Sequence, residues 1–236
     1  MRKKSLVSWG IRVLLYVVGL FILAMGVAVS INSGLGVSPM NSLPYVISQA
    51  SGIAMSTCVI VLFCSYILIQ VILLRRDFHP VNLLQILFAV LFGYFVDLAK
   101  WMLGEFALPT YAGKLVMLAV SVLLIAVGVV LYIEVELVPM PTEGLTLTVS
   151  KKLGRPFPRV KAAIDCVVVA VGIAVSFAAF HRLVGIREGT VVTALAAGRV
   201  IALVKRPVTA LIQRLCFGSC QPLAEEAEEV EKQQLP

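Results

Sequence analysis

The chain has 236 residues, of which 60% are hydrophobic and only 14% charged, and it carries a net charge of +7. Soluble domains are roughly half apolar and about a quarter charged, so this composition excludes an ordinary soluble domain and defines a polytopic membrane protein. The net positive charge then reports on orientation in the bilayer and on anionic lipid, and no nucleic-acid partner is expected.

The basic start MRKK leads into an apolar run at Val13 to Ile31. That run is too long for the core of a signal peptide, so it is read as a retained first helix. Further runs of spanning length follow at Ile53 to Leu74, Val81 to Val96, Leu115 to Ile133, Ala162 to Phe180 and Thr190 to Val204, the last being the most polar. A bilayer core takes about 20 helical residues, so six spans are expected. With the N-terminus in the cytoplasm, only Lys100, Lys114, Arg182 and Arg187 fall outside, and the remaining loop and tail cations fall inside. That asymmetry places both termini in the cytoplasm.

The halves resemble each other. Gly26 and Val27 match Gly128 and Val129, Pro39-Met40 matches Pro139-Met140, and Leu43, Ser48 and Gly52 match Leu145, Ser150 and Gly154. Cys64 then falls on Cys166, and with a slightly larger offset Ala89, Gly93 and Lys100 fall on Ala194, Gly198 and Lys205. A duplicated unit with an odd number of spans must enter the bilayer in opposite senses. The expected architecture is therefore all-α, with six transmembrane helices arranged as a 3+3 inverted repeat. Residues 1–104 form the first repeat, 105–207 the second, and 208–236 a cytoplasmic amphipathic and acidic tail.

Between the first and second spans, and again between the fourth and fifth, lies a segment too polar to span and too apolar for an ordinary loop. Ser38 is expected to cap a short helix with Pro39 at its first position and Gly52 at its end, and Pro141-Thr142-Glu143 begins a counterpart that ends at Gly154. These helices, near 39–51 and 141–153, are too short to cross a bilayer and are read as re-entrant half-helices. Pointed inward, their N-termini would present N–H groups and partial positive charge to an anion, a carboxylate or a zwitterion. Asn41, Ser42, Thr142 and Glu143 are the side chains placed to contribute. As an alternative, both segments lie flat in the headgroup layer as amphipathic helices.

Charges within spans are costly, at least ~2.5 kcal/mol each at a helix centre, and so mark candidate sites. Asp97, Asp165 and Arg199 qualify. If the third and sixth spans cross at Ala89-x-x-x-Gly93 and Ala194-x-x-x-Gly198, Asp97 and Arg199 meet, either as a neutralising pair or as substrate or proton ligands. Tyr94 is expected to line the same space. Asp165, four residues after Lys161, fits a helical ion pair. Glu134 and Glu136 are expected to be solvated near a helix end, and His79 and His181 sit at loop edges. The five cysteines show no metal-ligand spacing, and Cys216 and Cys220 at the membrane edge permit lipidation. No zinc-protease, serine-hydrolase or phosphate-loop motif is present, so neither an enzyme nor a cofactor is expected.

The stretches GLGVSPMNSLPYVIS and VPMPTEGLTLTVSKKLG, together with the six-span length and basic start, resemble the YczE-like integral membrane proteins of bacteria, loosely related to the YitT type. The resemblance covers roughly Val7 to Arg206 and implies a bacterial inner-membrane protein, without implying a substrate. The expected function is alternating-access transport of a small anionic or zwitterionic solute. A substrate-capture subunit of a multi-component importer, or a membrane scaffold or regulatory protein, are the alternatives. Expected partners are the lipid bilayer, a small solute and, as one admissible assembly, a second copy of the chain.

Overall fold

The computed structural model describes residues 6–75, 78, 80–135 and 137–217. It is all-helical among these, with α1 at Leu6–Ser33, α2 at Pro39–Ser51, α3 at Met55–Leu74, α4 at Leu84–Leu103, α5 at Tyr111–Glu134, α6 at Pro141–Leu153, α7 at Phe157–Phe180 and α8 at Glu188–Phe217. A 3-10 turn at Pro80–Leu83 leads into α4. Five helices, α1, α3, α4, α5 and α7, are long and apolar enough to cross a membrane. The expected sixth span, within α8, is not among them, because Glu188, Arg199, Lys205 and Arg206 interrupt its apolar run.

The two short helices have the bounds that proline and glycine dictate. Pro39 and Pro141 occupy first positions, where a missing N–H breaks no helical bond, and Gly52 and Gly154 close the C-termini with φ of 70° and 59°. Ser38 does not cap α2 through its hydroxyl. That oxygen instead accepts from Asn41 Nδ2 at 3.1 Å. Both helices are inlaid rather than superficial: Asn41, Ser42, Val46 and Ser48 of α2, and Thr142, Gly144, Thr146 and Thr148 of α6, are buried.

The core forms where α1 crosses α5. Gly19 faces Leu131 and Tyr132, whereas Gly26 faces Ile125 and Leu124, so the two helices run antiparallel. The contacts are reciprocal under the offset of 102 residues that also relates Leu43 to Leu145 and Gly52 to Gly154: Gly26 lies on Ile125, and its counterpart Gly128 lies on Leu23, the counterpart of Ile125. Glycine is needed at this crossing because a Cβ on Gly128 would lie 2.6 Å from Leu23 N. Around the pair, α4 packs on α1 as α8 packs on α5, and α2 packs on α7 as α6 packs on α3. One correspondence fails, since α3 packs closely on α4 whereas α7 and α8 stand apart.

The expected crossing of α4 with α8 does not form. Gly93 lies against Ile60 and Ser56 of α3, while Gly198 faces open space. Asp97 therefore does not meet Arg199. Its Oδ1 accepts from Ser56 N at 3.2 Å, the second residue of α3, a helix whose own N-cap, Ala54, has no capping side chain. Asp97 thus caps a neighbouring helix, with its charge at the favourable end of the dipole. Asp97→Ala is expected to lower stability by about 1 kcal/mol while Asp97→Asn retains most of it, read as unfolding midpoints of the detergent-solubilised protein.

Glu134 is not simply solvated. Thr209 Oγ1 donates to it at 2.8 Å and Lys205 Nζ approaches to 3.3 Å, fastening α8 to the end of α5. Glu136, His79, Cys220 and the acidic end lie outside the described residues. His181 adopts φ 53° as the cap of α7.

Candidate functional site

Two sets of backbone bonds fix the starts of α2 and α6. On the α2 side, Val37 N donates to Gly185 O at 2.9 Å and Gly189 N to Leu35 O at 2.8 Å, joining the loop before α2 to the loop before α8. Gly36 has φ 122°, and a Cβ there would lie 2.7 Å from Thr190 Oγ1 and 2.9 Å from Arg187 N, so a side chain meets both strain and collision. On the α6 side, Tyr16 Oη donates to Val138 O at 2.9 Å. Gln70 Nε2 donates to Pro141 O at 3.1 Å and to Gln85 Oε1 at 3.2 Å, with both glutamines almost fully buried. Gly144 admits this pair, because a Cβ there would lie 2.7 Å from Gln70 Oε1 and 2.9 Å from Gln85 Nε2.

The two helix starts meet. Thr142 Oγ1 lies 3.5 Å from Met40 Sδ and donates to Glu143 Oε2 at 2.8 Å. Beside them is a cavity of about 140 Å³, lined by Ser38 to Asn41, Glu143, Tyr132, Lys161 and Asp165, with apolar walls from α1, α5 and α8. Lys161 Nζ and Asp165 Oδ1 are 2.6 Å apart, as a four-residue helical spacing predicts. Asn41 is 2% exposed, and its Oδ1 has no hydrogen-bond partner. A buried amide oxygen left unpaired costs about 1–3 kcal/mol, which makes it the chemically conspicuous atom of the cavity. The backbone donors around it are scarce: proline supplies no N–H at either helix start, and Asn41 N is used on Ser38 O at 2.9 Å.

Of the residues singled out from sequence, Asn41 and Glu143 line the cavity, and Thr142 touches it through Glu143. Ser42 is turned into its own helix, donating to Pro39 O at 2.7 Å. Tyr94 is 63% exposed and points away. Arg199 is exposed as well: Ala197 and Ile201 face the cavity, and a residue two positions from each lies on the other side of the helix. Sequence reasoning missed Lys161, Tyr132 and Thr193 as cavity residues, and it named Asp165 as a candidate but favoured a helical ion pair for it. The signal available was the stripe Ala194, Ala197, Ile201 at helical spacing opposite a charged pair. A larger depression of about 450 Å³ between α3, α6 and α7 is almost wholly apolar, with Arg155 and Arg159 in its lining, and lacks convergent polar groups.

An all-helical, multi-pass membrane protein with a small, mostly apolar cavity bearing a few polar groups is the class these features define. Within that class, residues 10–206 match the family of unknown function DUF6198, and the chain belongs to it. It is 29% identical over 187 residues to the uncharacterized membrane protein YczE of Bacillus subtilis (strain 168), covering 79% of this chain and 81% of that protein. It is also 27% identical over 135 residues to the uncharacterized protein YyaS of the same organism, covering 57% of this chain and 66% of that one. No solved structure matches.

Proposed function

We propose that this protein carries a small solute across a bacterial inner membrane by alternating access, with both termini in the cytoplasm. The observation that carries this reading is the cavity bounded by the starts of α2 and α6, around which α7 and α8 stand apart while their counterparts α3 and α4 are closed together. The antiparallel, reciprocal crossing of α1 and α5 supports two inverted repeats, 1–104 and 105–207, with α2 and α6 as re-entrant half-helices. In such a pair, exchanging the conformations of the two repeats closes the space between α7 and α8 and opens its equivalent between α3 and α4. Non-helical backbone beside α2 and α6 is tolerated at membrane depth because it is buried in protein or faces this cavity.

The anionic part of the expected substrate range loses its support, since Arg199 is remote and the helix starts offer few free donors. Uptake into liposomes containing the purified chain alone, assayed with labelled amino acids, amines and organic acids, tests the proposal. Accumulation of one class supports a carrier. Ligand stabilisation without uptake supports a capture subunit that needs an external energiser. A scaffold role predicts that removing Leu223 to Pro236 abolishes function, whereas a carrier tolerates the removal.

A further inference from the structure

We infer that the interior cavity recognises a primary ammonium group borne on a short apolar body. The inference rests on the proposal that this cavity is the solute site and specifies what the site reads. Lys161 opposes two carboxylates, Glu143 and Asp165, in the lining, whose formal charge is therefore negative by one. Lys161 is engaged by Asp165 at 2.6 Å, the Thr142 hydroxyl by Glu143 at 2.8 Å and the Thr193 hydroxyl by Gly189 O at 2.7 Å. The two threonine hydroxyls are therefore committed, and although Lys161 keeps two further N–H bonds, the carboxylate and amide oxygens give the lining more acceptor than donor capacity.

The deciding atom is Asn41 Oδ1. It is buried without a partner on a residue that lines the cavity, and its amide is oriented by the Nδ2 bond to Ser38 Oγ at 3.1 Å. An incoming N–H would satisfy it. Asn41 and Glu143 occupy equivalent third positions of α2 and α6, so a ligand between them is read by one neutral and one charged acceptor from the two repeats. A bare metal cation fits poorly, because it requires several oxygens whereas Leu23, Val27, Ile125, Val129 and Ile201 supply hydrocarbon. Those walls suit an alkyl group. At about 140 Å³ the space admits a handful of heavy atoms, far below the size of drug-like sites.

The test is equilibrium binding to the purified full chain, read as thermal stabilisation with ethylammonium, tetramethylammonium, sodium and acetate, all as matched chloride or sodium salts. Ethylammonium alone is expected to stabilise. Glu143→Gln is expected to weaken its binding by tenfold or more. Asn41→Asp, which adds a third carboxylate to the lining, is expected to tighten it by about tenfold, a gain that a merely misfolded variant does not give. Equal responses to ethylammonium and tetramethylammonium, a response to acetate or sodium instead, or no response to any probe would each overturn the inference. Because the assay reads binding, ethylammonium stabilisation without uptake sinks the transport proposal alone, and uptake of another chemical class sinks this inference alone.

Discussion

Gly128→Ala is expected to be the most damaging single-methyl change in the protein, lowering stability by about 3 kcal/mol, near the upper end of ordinary overpacking effects. Its new Cβ would lie 2.6 Å from Leu23 N, 2.7 Å from Gly19 O and 2.9 Å from Leu23 Cα. All three are backbone atoms, so no side chain can swing aside, and α1 as a whole must withdraw from α5. Packing between membrane helices depends on close approach at small residues, because lipid supplies no hydrophobic drive to hold the helices together once they part. Gly198→Ala is the matched control. It meets open space, and alanine's higher helix propensity makes it neutral or slightly stabilising. Unfolding midpoints of the two variants in one detergent give the comparison.

The second large effect is expected at Gln70. Gln70→Leu removes the bonds to Gln85 Oε1 and Pro141 O and leaves the Gln85 amide buried without its partner. Leaving such a group unsatisfied costs about 1–3 kcal/mol, and the start of α6 loses its tether to α3 as well. Replacing both glutamines by leucine is expected to recover much of the loss, because the uncompensated amide disappears with its partner. A double-mutant cycle on thermal stability measures this directly. Ligand response in the double variant then reports whether α6 still presents Glu143 correctly.

How much was legible from sequence differs by element for physical reasons. The bounds of α2 and α6 follow from covalent constraints within a few residues, proline at a first turn and glycine in the left-handed region, and they were readable. The same locality made Lys161-Asp165 readable as a pair. The long helices were readable from hydropathy, except that α8 is too charged to count as a span on composition alone. The faces by which helices meet were not readable. A helix that is apolar on all sides carries no amphipathic stripe to point at its neighbour, so Ala89-x-x-x-Gly93 gave no indication that it packs on α3 and not on α8.

The candidate site shows the same division. Asn41 and Glu143 were legible because they sit at equivalent places in two recurring helix starts. Lys161, Tyr132 and Thr193 converge on the cavity only through the tertiary placement of α5, α7 and α8. Asp97 illustrates the converse: an intramembrane carboxylate suggests chemistry by its expense, yet here its acceptor serves the N-terminus of α3. Arg199 was misplaced by the absent helix crossing.

Labelling of two equivalent positions from opposite sides of the membrane tests the central claim most directly. Ala50 and Lys152, both exposed near the ends of α2 and α6, are related by the same repeat offset as Leu43 and Leu145. Each is changed singly to cysteine in a background whose native cysteines are replaced by alanine, then treated with a membrane-impermeant maleimide in intact cells and in inside-out vesicles. Inverted repeats predict that Ala50→Cys labels only from outside and Lys152→Cys only from inside. Labelling of both from the same side contradicts them.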